Sequence, residues 1–342
     1  MADGSIGREA GRSPTLEMVA ARAGVSRATV SRVVNGAPQV AADIVAAVEK
    51  AIGELDYVPN RAARMLASRR TQSIALIVPE STARVFADPF FASIVQGAAM
   101  RLADTDYTLS MLIASETNGE KTRRYLLGGN VDGALVVSHH SGDHSYAALA
   151  NSLPIVFGGR PLSPEERGSY FVDVDNAEGA AAATAHLVER GRRRLATIAG
   201  PADMPPGVDR LVGWRRTLAD AGLDDSLVEW GDFSPDSGRE AMHRLLERDP
   251  SIDGLFAAND QMAVGAYEAL RAAGRRVPDD VAVVGFDDDM FARTAAPALS
   301  TVRQMPVELG ARMAELLVAR IEGLPVEHRT LMPTELVVRA SS

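Results

Sequence analysis

Thr15-Leu16-Glu17-Met18-Val19-Ala20-Ala21-Arg22-Ala23-Gly24-Val25-Ser26-Arg27-Ala28-Thr29-Val30-Ser31-Arg32-Val33-Val34-Asn35 decides the fold at the start of the chain. Thr15 is a good helix N-cap, and Leu16, Val19, Ala20 and Ala23 fall on one face, which predicts a helix over 16–23. Gly24 suits the left-handed position that ends it. Ser26 caps a second helix over about 27–34, with Val30, Val33 and Val34 inward and Asn35-Gly36 as its stop. Two short helices on the tight turn Ala23-Gly24-Val25 form a helix-turn-helix. A third helix over about 42–55 carries Ile44, Val45, Val48, Ile52 and Leu55 at helical spacing. Tyr57-Val58-Pro59-Asn60 is then a sharp break, and 61–67 reads as a short basic helix. Tyr57 and Val58 read as core.

Charge separates this head from the rest. Residues 1–70 hold ten Lys and Arg against seven Asp and Glu, a net of +3, so a whole-chain charge of −9 leaves −12 on the remainder. A basic head on an acidic body points to nucleic acid, although +3 alone does not separate that from chance clustering. The 342 residues suffice for about two domains, and 46% apolar with 24% charged residues is ordinary globular composition. No run approaches the ~20 apolar residues of a membrane span. Residues 1–13 are polar with no apolar core, so no secretory signal is expected and the expected location is cytoplasmic. Zero cysteines exclude disulfides, thiolate zinc sites, iron–sulfur clusters and cysteine nucleophiles.

The string 16–26, then Thr29-Val30-Ser31-Arg32-Val33-Val34-Asn35, then Tyr57-Val58-Pro59-Asn60-Arg61-Ala62-Ala63-Arg64-Met65-Leu66, resembles the lactose/galactose repressor (LacI/GalR) family, and the resemblance covers the whole chain. It implies that the second helix lies in the major groove of a palindromic operator on double-stranded DNA. Arg27, Ala28 and Arg32 occupy the family's base-reading positions; Arg can bridge guanine O6 and N7, and Ala can meet a thymine methyl. Ser26, Thr29 and Ser31, with Thr15 and Asn35, are placed for phosphates. The helix over 61–67 would pair across a homodimer and enter the minor groove, with Leu66 as the wedge and Asn60, Arg61 and Arg64 among the DNA contacts. Two departures stand out. Ala41 replaces a usual Ser or Thr cap, and Ile44-Val45 replaces a usual Thr-Arg pair.

After 68–71 the pattern changes to alternating strands and helices. Strands are expected at 73–79, 107–113, 133–138, 154–157 and 171–175, with helices near 91–104, 121–127 and 146–151. The alternation restarts with helix 177–190, strand 195–199, helices 210–221 and 236–247, strand 254–257, helix 262–273 and strand 281–285. An amphipathic helix over 307–322 and a strand over 335–338 end the chain. The fold class is α/β: a small all-α helix-turn-helix head plus a bilobed, periplasmic-binding-protein-like body with two parallel sheets. The expected domains are 1–58 for DNA binding, 59–72 for a hinge helix and linker, and 73–342 for effector binding and dimerisation. The resemblance divides the body into one lobe of about 73–174 and 306–333 and another of about 175–305 and 334–342.

Ligands in such sheets bind at the carboxyl ends of strands. Asp88-Pro89-Phe90-Phe91 follows the first strand, Arg160 the fourth, Asp175 closes the fifth, Asn259-Asp260 follows strand 254–257 and Asp287 follows strand 281–285. Arg210 begins the helix that contains Gly213-Trp214. Carboxylate, amide and guanidinium groups at one mouth suit vicinal hydroxyls, because each takes two parallel hydrogen bonds. The family's pattern implies effector contacts at Arg210, Asn259 and Asp287 and an aromatic stacking residue at Phe233. Asp260 reads as a helix cap, Trp214 as packing, and Gly158-Gly159 as room for a larger ligand. The expected effector is a carbohydrate, with nucleobases and other metabolites open.

No nucleophile elbow, P-loop, zinc-protease or dinucleotide motif is present. His139, His140 and His144 fall in a Ser/Gly/Asp-rich loop, so no metal is expected, and no cofactor. Asp287-Asp288-Asp289 reads as one acid for the cleft and two in turn and capping roles. The reading is a ligand-responsive transcription regulator, most simply a repressor. A periplasmic-type sugar-binding protein or an enzyme on a doubly wound fold are the rivals. No leucine-repeat segment follows Val338, so the expected assembly is a dimer, with no tetramer.

Overall fold

The computed structural model describes residues 14–34, 39–58, 70–113, 119–140, 146, 149–162 and 168–342. Asn35, Asn60, Arg61, Arg64, Leu66 and His144 lie outside the described residues, as does the expected hinge helix over 61–67. The chain divides into two compact units, residues 1–71 and 72–342.

In the first unit α1 (Leu16–Ala23), α2 (Arg27–Val34) and α3 (Ala42–Glu54) close around Val19, Ala20, Val30, Val48, Ala51 and Tyr57. The Thr15 hydroxyl accepts from the Met18 N–H at 3.4 Å, and Gly24 ends α1 at φ 66°, where a side chain would be strained. The Ser26 hydroxyl accepts from the Thr29 N–H at 3.1 Å and so caps α2. Ala41 holds cap geometry (φ −62°, ψ 140°) with no side chain to bond the first turn of α3. Tyr57 is buried, but Val58 is 82% exposed and does not join the core. The Tyr57 N–H donates to the Ile52 carbonyl at 3.0 Å, so the packed helical end stops one residue before Val58.

The second unit is two six-stranded sheets. Its elements run β1 (Ser73–Val78), α4 (Thr82–Ala87), α5 (Pro89–Leu102), β2 (Thr108–Ile113), α6 (Gly119–Tyr125), β3 (Gly133–Val137), β4 (Ile155–Gly158), β5 (Tyr170–Val174) and α7 (Asn176–Glu189). They continue with β6 (Leu195–Ala199), α8 (Pro205–Asp220), β7 (Val228–Trp230), α9 (Pro235–Arg248), β8 (Gly254–Ala257), α10 (Asp260–Ala272) and β9 (Ala282–Asp287). The last are α11 (Met290–Thr294), β10 (Ser300–Arg303), α12 (Pro306–Ile321), β11 (Arg329–Met332) and β12 (Glu335–Val337). The first sheet has the order β11-β5-β4-β3-β1-β2 and is parallel throughout. The second has the order β12-β10-β9-β8-β6-β7, and β12 runs antiparallel to β10 at its edge. That edge strand departs from the all-parallel expectation. The chain passes between the sheets three times, at β5–β6, β10–β11 and β11–β12.

Fully buried runs such as Ser73–Val78 and Gly254–Ala257 mark strands covered on both faces. Helices α5 and α12 meet backbone to backbone. A Cβ on Gly97 would lie 1.8 Å from the Val307 carbonyl oxygen, and one on Gly310 would lie 2.2 Å from that of Ile94. The elements α4, β7, α11, β10 and β11 were not expected. They span three to six residues, and β7 and β11 keep partly exposed side chains, so neither has an apolar run to announce it.

Candidate functional site

In the first unit the outer face of α2 carries Arg27, Ala28 and Arg32, all exposed, with Ser26 exposed at its start and Thr29 and Ser31 half-buried. Arg27 pairs with Glu17 at 3.1 Å, and the Arg32 guanidinium donates to the Thr29 hydroxyl at 3.4 Å. Both arginines are exposed charges whose partners exchange readily with water, so they are free to move to a new acceptor. Thr15 is exposed, with its hydroxyl already on α1. Ser26 and Thr29 bond each other at 2.9 Å, which orders the first turn of α2.

In the second unit the carboxyl ends of both sheets open into a cavity of about 740 Å³, counting its mouth. Of the expected residues, Asp88, Phe90, Phe91, Arg210, Phe233, Asn259 and Asp287 line it. Arg210 is its anchor. The side chain is buried, its Nε donates to Asn176 Oδ1 at 2.9 Å, and one terminal nitrogen donates to the Ala258 carbonyl at 2.5 Å. The same nitrogen lies 3.4 Å from Asp287 Oδ1, and the guanidinium sits 3.6 Å over the Phe286 ring. Gln304 donates to Asp287 at 2.6 Å. Asp287 ends β9 at φ 113°, a left-handed backbone that turns its carboxylate to the cavity. Burial pushes its pKa up to about 7 against the opposing pull of Arg210. Burial likewise raises Asp173 to about 6.

Asn259 spends its amide on structure. Its oxygen accepts from the Met262 N–H at 2.9 Å to cap α10, and its nitrogen donates to the Phe233 carbonyl at 2.9 Å. That bond holds Phe233 at φ 71° with its ring against Gly200, where a Cβ would meet it at 2.3 Å. Asp88 caps α5 by accepting from Phe90 at 2.9 Å, and still faces the cavity.

Several expectations change here. Asp260 does not cap α10. It is buried one residue inside the helix, where it accepts from the Thr301 hydroxyl at 2.6 Å and the Asp289 N–H at 3.0 Å. Asp175 lies outside the cavity lining: the chain has left β5, and the carboxylate caps α7 through Glu178 at 3.1 Å. Asp173 and Asn176 face the cavity instead. Arg160 also lies outside the lining and holds Asp209 through two parallel bonds. Asp288 serves neither turn nor cap; its buried carboxylate gathers Arg293, Arg303 and Arg339. Asp289 caps α11, accepting from Phe291 at 2.7 Å. Of the glycine pair, a Cβ on Gly159 would touch His139 at 3.6 Å and its φ of 106° strains any side chain, while a Cβ on Gly158 would meet Met313 at 3.0 Å, so both serve backbone shape and packing. Trp214 is buried as packing. Among the described residues no cluster of three His, Asp or Glu is placed to hold a metal ion, and His140 bonds Asp203 at 2.8 Å.

Sequence reasoning missed Asp173, Asn176, Gln304 and Arg84 in the lining. Only Asp173 had left a signal, as an acid inside an otherwise apolar strand.

Residues 15–60 match the model of the bacterial regulatory proteins of the lacI family, and residues 184–342 match the periplasmic binding protein-like domain. The HTH-type transcriptional regulator CelR of Thermobifida fusca is 49% identical over 338 residues, covering 96% of this chain and 98% of that protein. The chain belongs to the lacI family. This lacI-family member is a sequence-specific DNA-binding transcription regulator, a repressor under the control of a small-molecule effector. A solved transcriptional regulator CelR–cellobiose complex is 46% identical to it with a TM-score of 0.77, covering 96% of this chain and 100% of that one. The lac repressor dimer bound to operator and the anti-inducer ONPF is 28% identical with a TM-score of 0.84, covering 96% and 99%. No helix among the described residues is long and apolar enough to cross a membrane.

Proposed function

We propose that this regulator binds a palindromic operator as a homodimer and releases it when a short β-linked glucoside such as cellobiose fills the cavity. The observation that carries the reading is Arg210, fixed by Asn176, Asp287 and the Ala258 carbonyl, in the same cavity as the Phe233 ring. The guanidinium donates to vicinal hydroxyls and the carboxylate beside it accepts from them, and the ring offers its face to the apolar side of a sugar. Asp88, Phe90 and Phe91 supply the facing wall from the other lobe, and Asn259 acts by holding Phe233. The similarity to the CelR–cellobiose complex supports the ligand class, and the similarity to the operator-bound lac repressor dimer supports the homodimer. Arg27, Ala28 and Arg32 read bases in this scheme, while Thr15, Ser26, Thr29 and Ser31 hold phosphates together with Asn35. Asn60, Arg61, Arg64 and Leu66 belong to the hinge that couples the two functions. The domain division proposed is 1–58, 59–72 and 73–342.

Calorimetric titration of the full chain with cellobiose, maltose and glucose tests this. Saturable binding of cellobiose, weakened at least tenfold by Phe233→Ala, is the expected result. Absence of binding and of thermal stabilisation with every sugar overturns the carbohydrate assignment; a ligand at 100 times its Kd adds about 2.7 kcal/mol.

A further inference from the structure

Two ion pairs join the lobes of the body without taking part in the cavity wall. Arg160 follows β4 of the first sheet, and Asp209 sits on α8, beside the second sheet. The Arg160 Nε donates to one Asp209 oxygen at 2.5 Å while a terminal nitrogen donates to the other. The Arg160 backbone N–H is itself fixed, donating to Asp173 at 2.8 Å. The second pair lies between His140, after β3, and Asp203, after β6. His140 Nδ1 and Asp203 Oδ2 are 2.8 Å apart, and the other ring nitrogen faces Glu80 at 3.4 Å. The two carboxylates hold the imidazole protonated, with a pKa raised to about 9. None of the four side chains lines the cavity.

The acceptors bracket the start of one helix. Asp203 precedes α8 by two residues, and Asp209 is in its second turn, next to Arg210. Met204, at the N-cap position, provides no side-chain bond to that helix start. The start of α8 is therefore held from the opposite lobe on both flanks, and Arg210 projects from it into the cavity.

We propose that Arg160–Asp209 and His140–Asp203 form a clasp between the lobes, and that Arg160 is a positioning residue that acts on the effector through α8 and Arg210. The clasp forms only when the lobes are together, so it raises the fraction of the body in the effector-binding arrangement and with it the apparent affinity. A bidentate Arg–carboxylate pair at a partly covered site is the stronger of the two links. This inference rests on the carbohydrate reading for its affinity test alone.

The test compares full-length wild type with Asp209→Asn, Arg160→Gln and the double reversal Arg160→Asp with Asp209→Arg. Retained operator binding without sugar certifies folding, and Asp209→Asn, which is isosteric, guards against loss of the reversed pair. Cellobiose affinity is expected to fall at least fivefold in each single variant and to recover within twofold in the reversal. An affinity that is normal in Asp209→Asn and lost in the reversal overturns the clasp and makes Arg160 a direct sugar contact. If wild type binds no sugar, the carbohydrate reading fails by itself, and small-angle scattering decides the clasp. A radius of gyration that rises in both single variants and recovers in the reversal supports it, and equal radii in all four proteins overturn it.

Discussion

Asp287 shows how one backbone choice makes a binding group. Its φ of 113° swings the carboxylate off the end of β9 to meet Arg210 and Gln304, and burial holds its pKa near 7. Substituting Asp287→Asn keeps the shape and removes the counter-charge of Arg210. Effector affinity measured by calorimetry should fall by on the order of 1–3 kcal/mol, with operator affinity in the absence of effector unchanged. An unchanged effector Kd would remove Asp287 from the site. The neighbouring acid Asp173 shows what the residue pattern hides. Strand ends pointed to Asp175, but whether an acid at the end of a strand faces the cavity or turns to cap the next helix depends on where the strand stops. Boundaries of one or two residues are the least legible feature of a sequence. Arg84 and Gln304 gave no local signal, because each reaches the cavity from an element whose course is set by the tertiary fold.

Among the elements, α3 carries the clearest defect. Ala41 sits in extended N-cap geometry with nothing to offer the first-turn N–H groups. Ala41→Ser should stabilise the first unit by about 0.5–1 kcal/mol in thermal or urea unfolding. A neutral or destabilising result would mean that these N–H groups are already satisfied by water at no cost. The α5–α12 pair has the opposite character, a contact with no slack. Gly97→Ala should destabilise the body by about 1–3 kcal/mol, since the new Cβ meets the Val307 carbonyl and the helices must part. Urea midpoints equal to wild type would show that the pair shifts freely. Elements with an apolar run or a full amphipathic period were legible: α1, α2, α5, α7, α12 and the strands β1, β3, β4, β5, β6, β8 and β9 stand within a few residues of expectation. The edge strands β7 and β11, the four-residue strand β10 and the short helices α4 and α11 were not, because pairing and capping, with no periodicity of their own, create them.

At the scale of the molecule, titration ties the body together. His140 is raised to about 9 by its bond to Glu80, so its stabilising contribution is whole below its ordinary pKa of 6.5 and is lost as pH rises through 9. Burial raises Asp287 to about 7 and Asp173 and Asp289 to about 6, so the folded chain takes up protons that the unfolded chain does not, and stability grows as pH falls from 7 toward 4. Both signs agree between pH 6 and 9. The melting temperature should drop on the order of 5 °C across that range, and Asp287→Asn should flatten its acidic half. A flat profile would contradict the burial of these groups. The two-sheet body was legible because alternation restarts midway along it, whereas the clasp between its lobes was not, since Arg160 and Asp209 lie 49 residues apart and meet only through the tertiary fold. The regulatory account rests on one linkage, that effector and operator oppose each other on the same chain. Fluorescence anisotropy of a labelled operator fragment, titrated with the full-length protein at fixed salt with and without saturating cellobiose, measures it directly. The account predicts that cellobiose weakens operator affinity at least tenfold, about 1.4 kcal/mol. Equal operator affinity with and without cellobiose, in a protein that calorimetry shows to be cellobiose-loaded, would contradict it.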